Sequence, residues 1–214
     1  MTEKHIAADA QGDDAEDFCR MCGFDEYRFW EAGWPTSMIC ACCGNESGIA
    51  DMGAKSGSWA GLEGLHAFRG EWVGSGARWW NPRMKPRDWD LLEQLQNIPP
   101  VWRTPVPPPA DLARRVAERP SYGSLGTETE CRICGLSGQV FWRDGTPTET
   151  VCLSCGSVSG IDDLGTPGVW AALRGIRARR GYWVAVGAPW AVPAARPAEW
   201  DVLAQLARIP DDWR

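Results

Sequence analysis

The sequence predicts an α+β protein of two tandem modules, each a small β-rich unit followed by two short helices. Three observations predict it. Four cysteines recur with unchanged spacing, because Cys19, Cys22, Cys40 and Cys43 become Cys131, Cys134, Cys152 and Cys155 on adding 112. Tryptophan recurs with them: of 14 Trp, 12 fall into six matched pairs, and only Trp34 and Trp80 lack a counterpart. Each copy then passes from short extended runs to apolar residues spaced three or four apart, which is one face of a helix. A length of 214 residues allows one or two domains, and the repetition selects two.

In each copy two Cys-x2-Cys pairs are separated by seventeen residues, 23–39 and 135–151. Such pairs supply four thiolates on two tight turns, suited to tetrahedral coordination at ~2.3 Å from a metal. Glycine follows every pair (Gly23, Gly44, Gly135, Gly156) and permits the positive φ of a tight turn. The expectation is tandem zinc-ribbon-like modules holding two zinc ions per chain. Cys42 aligns with Ser154 and stands outside the layout, and nine cysteines leave an odd thiol in any all-disulfide scheme. Metal is therefore preferred to disulfides. A repeat of about 85 residues has a core worth only a few kcal/mol, whereas structural zinc contributes about 10–16 kcal/mol in model fingers.

The elements follow in order. Residues 1–17, with six acidic residues and one basic, read as an acidic disordered tail. Repeat 1 covers 18–103, a Pro-rich linker 104–129, and repeat 2 130–214. Within the ribbons, Tyr27 to Trp30 and Gln139 to Trp142 are strand candidates. Trp34-Pro35 and Thr146-Pro147 mark turns, and Met38 to Cys40 and Thr150 to Cys152 are return strands. Trp59, Leu62, Leu65, Arg69 and Trp72 share one helix face, as do Trp170, Leu173, Ile176, Arg180 and Trp183; Gly76 and Gly187 close these helices. A last short helix starts near Asp88 and Glu199 and stops before Pro99 and Pro210. In the linker, 104–109 is a stiff Pro-rich run, 110–119 a small Ala/Arg helix and 121–129 a loop. Paired tryptophans are expected in the core; a sharper reading makes some of them a binding surface.

Formal charge is -6, and two tetrathiolate zinc sites would take it to roughly -10. The repeats are nearly neutral, 10 acidic against 9 basic residues and 9 against 9, so the excess lies in the tail and the metal sites. That balance suits a nucleic-acid backbone poorly. The best basic patch is Arg174, Arg177, Arg179 and Arg180, whose counterparts Glu63, His66, Phe68 and Arg69 are not uniformly basic. No apolar run approaches a membrane span and no export signal is visible, so a cytoplasmic location, where thiols stay reduced, is expected.

A catalytic zinc keeps an open position, often beside His or a carboxylate, but four cysteines close each site here. His5 lies in the tail and His66 aligns with Arg177, so neither histidine is a repeated ligand. Asp51 and Asp163, matched and just past the last knuckle, read as turn caps rather than acid–base groups. A non-enzyme is expected.

Cys19-x2-Cys22-Gly23-Phe24, then Trp34-Pro35-Thr36-Ser37-x-Ile39-Cys40-x-Cys42-Cys43-Gly44, resembles the small bacterial cysteine-rich proteins named for a Cys-Pro-Cys-Cys knuckle. Arg69-x2-Trp72, Gly76-x2-Trp79-Trp80 and Trp89-Asp90-x3-Gln94-Leu95 look like that family's C-terminal half. The resemblance covers most of 18–99 and, more weakly, 130–210. Ala41 replaces the name-giving proline, and the second copy reads Cys152-Leu153-Ser154-Cys155. The resemblance implies a bacterial zinc-ribbon-like protein with no assigned reaction and no catalytic residues.

Three functional readings stand. The favoured one is a protein-binding module, in concrete form an intracellular immunity-type inhibitor of a basic bacterial toxin, with two similar domains on a stiff linker engaging a bivalent or wrapping partner. A nucleic-acid-binding zinc ribbon with a regulatory role is the second. The third is an iron electron carrier, since two Cys-x2-Cys-Gly knuckles also resemble rubredoxin; that family has a longer gap and no long C-terminal helical part.

Overall fold

A computed structural model describes residues 15–53, 59–104 and 126–214, with only the helical backbone at 59–61. The tail through residue 14, the Pro-rich run from Pro105, the expected 110–119 helix and the Trp59 side chain lie outside the described residues. Repeat 1 contains β1 (Trp30–Glu31), β2 (Trp34–Pro35), α1 (Trp59–Gly74) and α2 (Leu91–Leu95). Repeat 2 contains β3 (Thr127–Glu130), β4 (Ser137–Arg143), β5 (Thr146–Pro147), α3 (Arg174–Ala185) and α4 (Val202–Leu206). Mixed α and β structure with small sheets is thus the architecture. Short 3-10 turns at Pro82–Met84 and Pro193–Ala195 precede α2 and α4, and turns at Pro100–Arg103 and Asp211–Trp213 end each repeat.

The ribbon hairpins differ from expectation. Trp34-Pro35 and Thr146-Pro147 are strand residues, pairing with Trp30–Glu31 and with Trp142–Arg143. The turns fall one step earlier, at Ala32-Gly33 and Asp144-Gly145, where both central residues have positive φ (48° and 81°; 49° and 73°). That is the two-residue turn whose twist matches antiparallel strands, and Asp-Gly is its usual signal. The return segments are single bridges, Ile39 to Glu46 and Val151 to Val158. Residues 127–129, expected in a loop, are strand: β3 pairs with β4, Glu128 opposite Trp142.

The helices lie where the apolar period puts them. Leu62, Leu65 and Arg69 are buried on α1, as are Ile176, Arg180 and Trp183 on α3. Trp170 to Leu173 form a 3-10 turn before α3, and Gly76 and Gly187 take the positive φ that ends each helix. The short helices begin later than expected because Asp90 and Asp201 cap them, accepting from Glu93 and Ala204 N–H. Ten of the twelve paired tryptophans are buried or packed against the core; of the others, Trp170 is partly exposed and Trp59 has no described side chain.

The two repeats are not separate beads on a linker. α1 and α3 cross at Gly70 and Gly181, matched positions 111 apart. A Cβ on Gly70 would lie 1.8 Å from the Arg177 carbonyl oxygen, and one on Gly181 would lie 1.9 Å from the His66 oxygen. Since residue 66 also matches 177, the contact has the form of a two-fold axis within one chain, the isologous arrangement of symmetric dimers. The expected bivalent geometry therefore gives way to one composite body.

Candidate metal centres

Each set of four cysteines converges on one point. Cys19 and Cys43 sulfurs are 3.7 Å apart, Cys22 and Cys40 3.6 Å; the second set gives 3.7 Å (Cys131, Cys155) and 3.6 Å (Cys134, Cys152). All four sulfurs in each set lie within 4.8 Å of one another. A tetrahedron with ~2.3 Å metal–sulfur bonds has edges of about 3.8 Å, so the donor set fits a tetrahedral ion. The eight predicted ligands are thus brought together as two four-cysteine sites, and each could hold one metal ion.

Backbone geometry prepares the sulfurs. Cys19 N–H donates to Phe24 O and Gly23 N–H to Cys19 O, both at 2.8 Å; Cys40 and Gly44 repeat the pattern at 2.8 and 2.9 Å, and repeat 2 does the same. Burial pushes the Cys22 and Cys134 thiols up, while hydrogen bonds from neighbouring thiols pull Cys40 and Cys152 down. Four thiolates in so small a volume need a cation, and metal binding must expel protons.

A polar frame locks each site. Gln94 Nε2 donates to Cys22 O (2.8 Å) and to the Cys42 sulfur (3.3 Å), tying the two knuckles together. Gln205 does likewise to Cys134 O (3.1 Å) and Ser154 Oγ (3.0 Å). Cys42 and Ser154 are therefore equivalent hydrogen-bond acceptors, and Cys42 stands outside the ligand set. Gly23 and Gly135 are required twice over: φ is +76° and +75°, and an added Cβ would meet the Gln94 or Gln205 carbonyl oxygen at 2.2 or 2.1 Å.

Two buried arginines per repeat complete the frame. Arg20 lies between the rings of Trp30 and Trp102, 3.5 and 4.0 Å from their centroids, and pairs with Glu16. Arg132 lies between Trp142 and Trp213 at 3.8 and 3.7 Å and pairs with Glu128. Glu16, assigned to the tail from sequence, is thus buried structure, bridged to Trp30. Arg69 donates to Met21 O (2.6 Å) and Arg20 O (2.7 Å) in its own knuckle and reaches Gly181 O at 3.4 Å across the helix crossing. Arg180 mirrors it with Ile133 O (2.9 Å), Arg132 O (2.9 Å) and Gly70 O (3.2 Å). Burial pushes Arg69 down to about 10 and Arg180 to about 9, opposed by the cysteine sulfurs. Each site is thereby coupled to the interface between the repeats.

Asp51 and Asp163 are committed to structure. Asp51 accepts from Gly48 N–H (2.7 Å) and Trp30 Nε1 (3.2 Å); Asp163 accepts from Gly160 N–H (2.6 Å) and Trp142 Nε1 (2.8 Å). Burial raises both carboxyls, Asp163 to about 6. The four arginines expected as a basic patch do not share a surface. Arg180 is buried, Arg177 donates to Arg214 O, Arg179 pairs with Asp162 at 2.6 Å and Arg174 with Glu63 at 3.4 Å. His66 is buried at the helix crossing, its Nδ1 2.8 Å from Arg69 Nη1. None of the described helices is long and apolar enough to cross a membrane.

No family model matches the chain, and comparison with the curated proteins and with the solved structures finds no match either. The glutamine–arginine frame, unlike the cysteines, escaped sequence reasoning. Its signal was there: polar residues kept identical in both repeats (Arg20/Arg132, Arg69/Arg180, Gln94/Gln205).

Proposed function

We propose that this chain is a non-catalytic, zinc-stapled protein-binding module that uses repeat 1 as its contact face, related to the bacterial Cys-Pro-Cys-Cys-knuckle proteins. The metal-stabilised fold is the foundation. Zinc is favoured over iron because the four-sulfur sites are closed and embedded as structural centres, the use to which zinc is most often put.

One observation carries the binding role. The two tryptophans without counterparts, Trp34 and Trp80, are 77% and 69% exposed, and Ile49 and Met52 beside the same ribbon are 71% and 61% exposed. Their repeat 2 counterparts are Thr146, Ala191 and the partly buried Ile161 and Leu164. The copies share one core and differ in what they show to solvent. Exposed Trp is among the residues most enriched at binding hot spots. With Arg177, Arg179 and Arg180 tied to partners inside the molecule, α3 presents no concentrated basic patch, and the net charge of -6 favours a basic protein partner over nucleic acid. The concrete form is neutralisation of a basic toxin.

Affinity purification of tagged chain from its host, with and without Trp34→Ala and Trp80→Ala, tests this. A stoichiometric basic protein retained by the parent and lost by the double variant supports the reading, and so does protection of cells co-expressing that protein as a toxin. A parent chain that retains no stoichiometric protein refutes it. Metal analysis with a visible spectrum tests the ion: a colourless protein with about two zinc per chain is expected, and thiolate-to-ferric absorption would overturn zinc.

A further inference from the structure

The duplication supplies an internal comparison for a cleft. In repeat 1 the second knuckle and α1 enclose a cavity of about 420 Å³, lined by Met21, Asn45, Ile49, Phe68, Glu71 and Trp72 among others. The repeat 2 cleft lined at the equivalent positions by Ile133, Cys155, Ser157, Arg179, Tyr182 and Trp183, which runs on toward Pro189 and Ala191, holds about 230 Å³. Of the lining positions that differ, two exchange apolar residues for an ion pair. Ala50 corresponds to Asp162 and Phe68 to Arg179, and in repeat 2 these form a 2.6 Å ion pair beside the knuckle. Asp162 is fixed further by accepting from Val158 N–H at 2.9 Å. Repeat 1 has an alanine and a phenylalanine ring in place of that pair, and they leave an apolar floor open.

We infer that this repeat 1 cleft is a receptor for a short peptide segment of a protein partner, with an apolar side chain flanked by basic residues. The inference rests on the protein-binding reading above and gives that partner its chemistry. The volume lies within the usual range of ligand pockets, ~300–1,000 Å³, at the end that suits one or two side chains. Met21, Ile49, Phe68 and Trp72 supply apolar contact. The buried Asn45 Nδ2 has no hydrogen-bond partner among the described residues; a peptide carbonyl would satisfy this donor. The rim is acidic. Glu46 is exposed, and Glu71 remains partly exposed while accepting from Trp170 Nε1 at 3.0 Å and lying 3.8 Å from Arg177, so Glu46 is the carboxylate open to a cationic ligand. The cleft also touches Cys43 of the tetrathiolate site, which carries about -2 when metal is bound. Arg69, the basic residue in the lining, has its donors occupied by carbonyls. Charge and shape together select a cationic, apolar-anchored segment.

Nuclear magnetic resonance titration of the zinc-loaded full chain decides the matter. The probes are acetyl-Lys-Leu-Arg-amide and its acidic analogue acetyl-Glu-Leu-Asp-amide. The basic peptide should shift the amides of Asn45, Ile49 and Glu71, leave Ser157 and Tyr182 unmoved, and bind at least about ten-fold more tightly than the acidic one. Ala50→Asp with Phe68→Arg installs the ion pair of repeat 2; it should weaken binding by at least about ten-fold at unchanged metal content and circular dichroism. No shift, equal shifts in both repeats, equal affinity for the two peptides, or undiminished binding by the double variant each overturns the inference. If that variant does not fold, Phe68→Ser takes its place under the same criterion. Failure here with a stoichiometric partner still captured leaves the protein-binding reading standing; capture of none removes that reading, whatever the peptides do.

Discussion

Replacing Gly70 by alanine should invert the usual rule for helices. Alanine is favoured over glycine in a helix interior by about 1 kcal/mol, so the substitution ought to stabilise. At Gly70, however, the new Cβ would lie 1.8 Å from the Arg177 carbonyl oxygen, a backbone atom that cannot swing aside. To reach even 3.0 Å, α1 and α3 must part by about 1.2 Å. That carries the Arg180–Gly70 hydrogen bond from 3.2 Å, and the Arg69–Gly181 bond from 3.4 Å, out of range. Hydrogen bonds to charged groups contribute about 1.5–3 kcal/mol each. Set against the propensity gain, the net loss is about 3 kcal/mol. The controls are built in. Gly175 has nothing within 4 Å of its Cβ position, and Gly64 meets only the mobile end of Arg174 at 3.5 Å. Gly175→Ala and Gly64→Ala should raise stability by up to about 1 kcal/mol. Urea denaturation of metal-loaded protein, followed by circular dichroism, gives the four midpoints. Gly70→Ala should fall well below wild type while metal content stays constant. A midpoint equal to that of Gly175→Ala would refute the close crossing and the coupling built on it.

Two further outcomes follow from the sites and the interface. Cys131→Ser should lower bound metal from about two equivalents to about one and unfold repeat 2, whereas Cys42→Ser should keep both, because Ser154 already accepts from Gln205 in the sister position; metal analysis and thermal melts read both. Burial, helped by the charge of Arg69, holds His66 down to about 3 against an ordinary 6.5. A depressed base gives stability that is full above its unfolded pKa and is lost as pH falls toward the folded one. Between about pH 7.5 and 5.5 the loss is about 1.4 kcal/mol. Relative to wild type, His66→Gln should flatten denaturation midpoints across that window in metal-loaded protein; an unchanged slope would show that His66 is not the group responsible.

The metal ligands were legible because coordination imposes a rigid spacing, and a doubled spacing has no other simple cause. The helix faces were legible because burial imposes a period, and Leu62, Leu65 and Arg69 follow it. Hairpin turns were misplaced because proline outweighed Asp144-Gly145, although φ > 0 at two successive residues decides the turn. Arg69 entered as a point on a helix face, a counterpart of Arg180 and part of a motif, never as a buried donor. A fully buried guanidinium is intelligible once carbonyls from two knuckle residues and a partner helix surround it, and those carbonyls are remote in the chain.

Sequence alone determined that eight cysteines form two like sets and that each set leads into a helix, since both follow from local spacing and repetition. Only the tertiary structure decided that the helices meet at Gly70 and Gly181, that Arg177 and Arg180 of α3 are buried, and that the repeat 1 cleft is the roomier of the two. Those outcomes depend on which atoms approach one another in space, from 17 residues apart at Asp162 and Arg179 to 111 apart at Gly70 and Gly181, and spacing along a chain carries no measure of that distance.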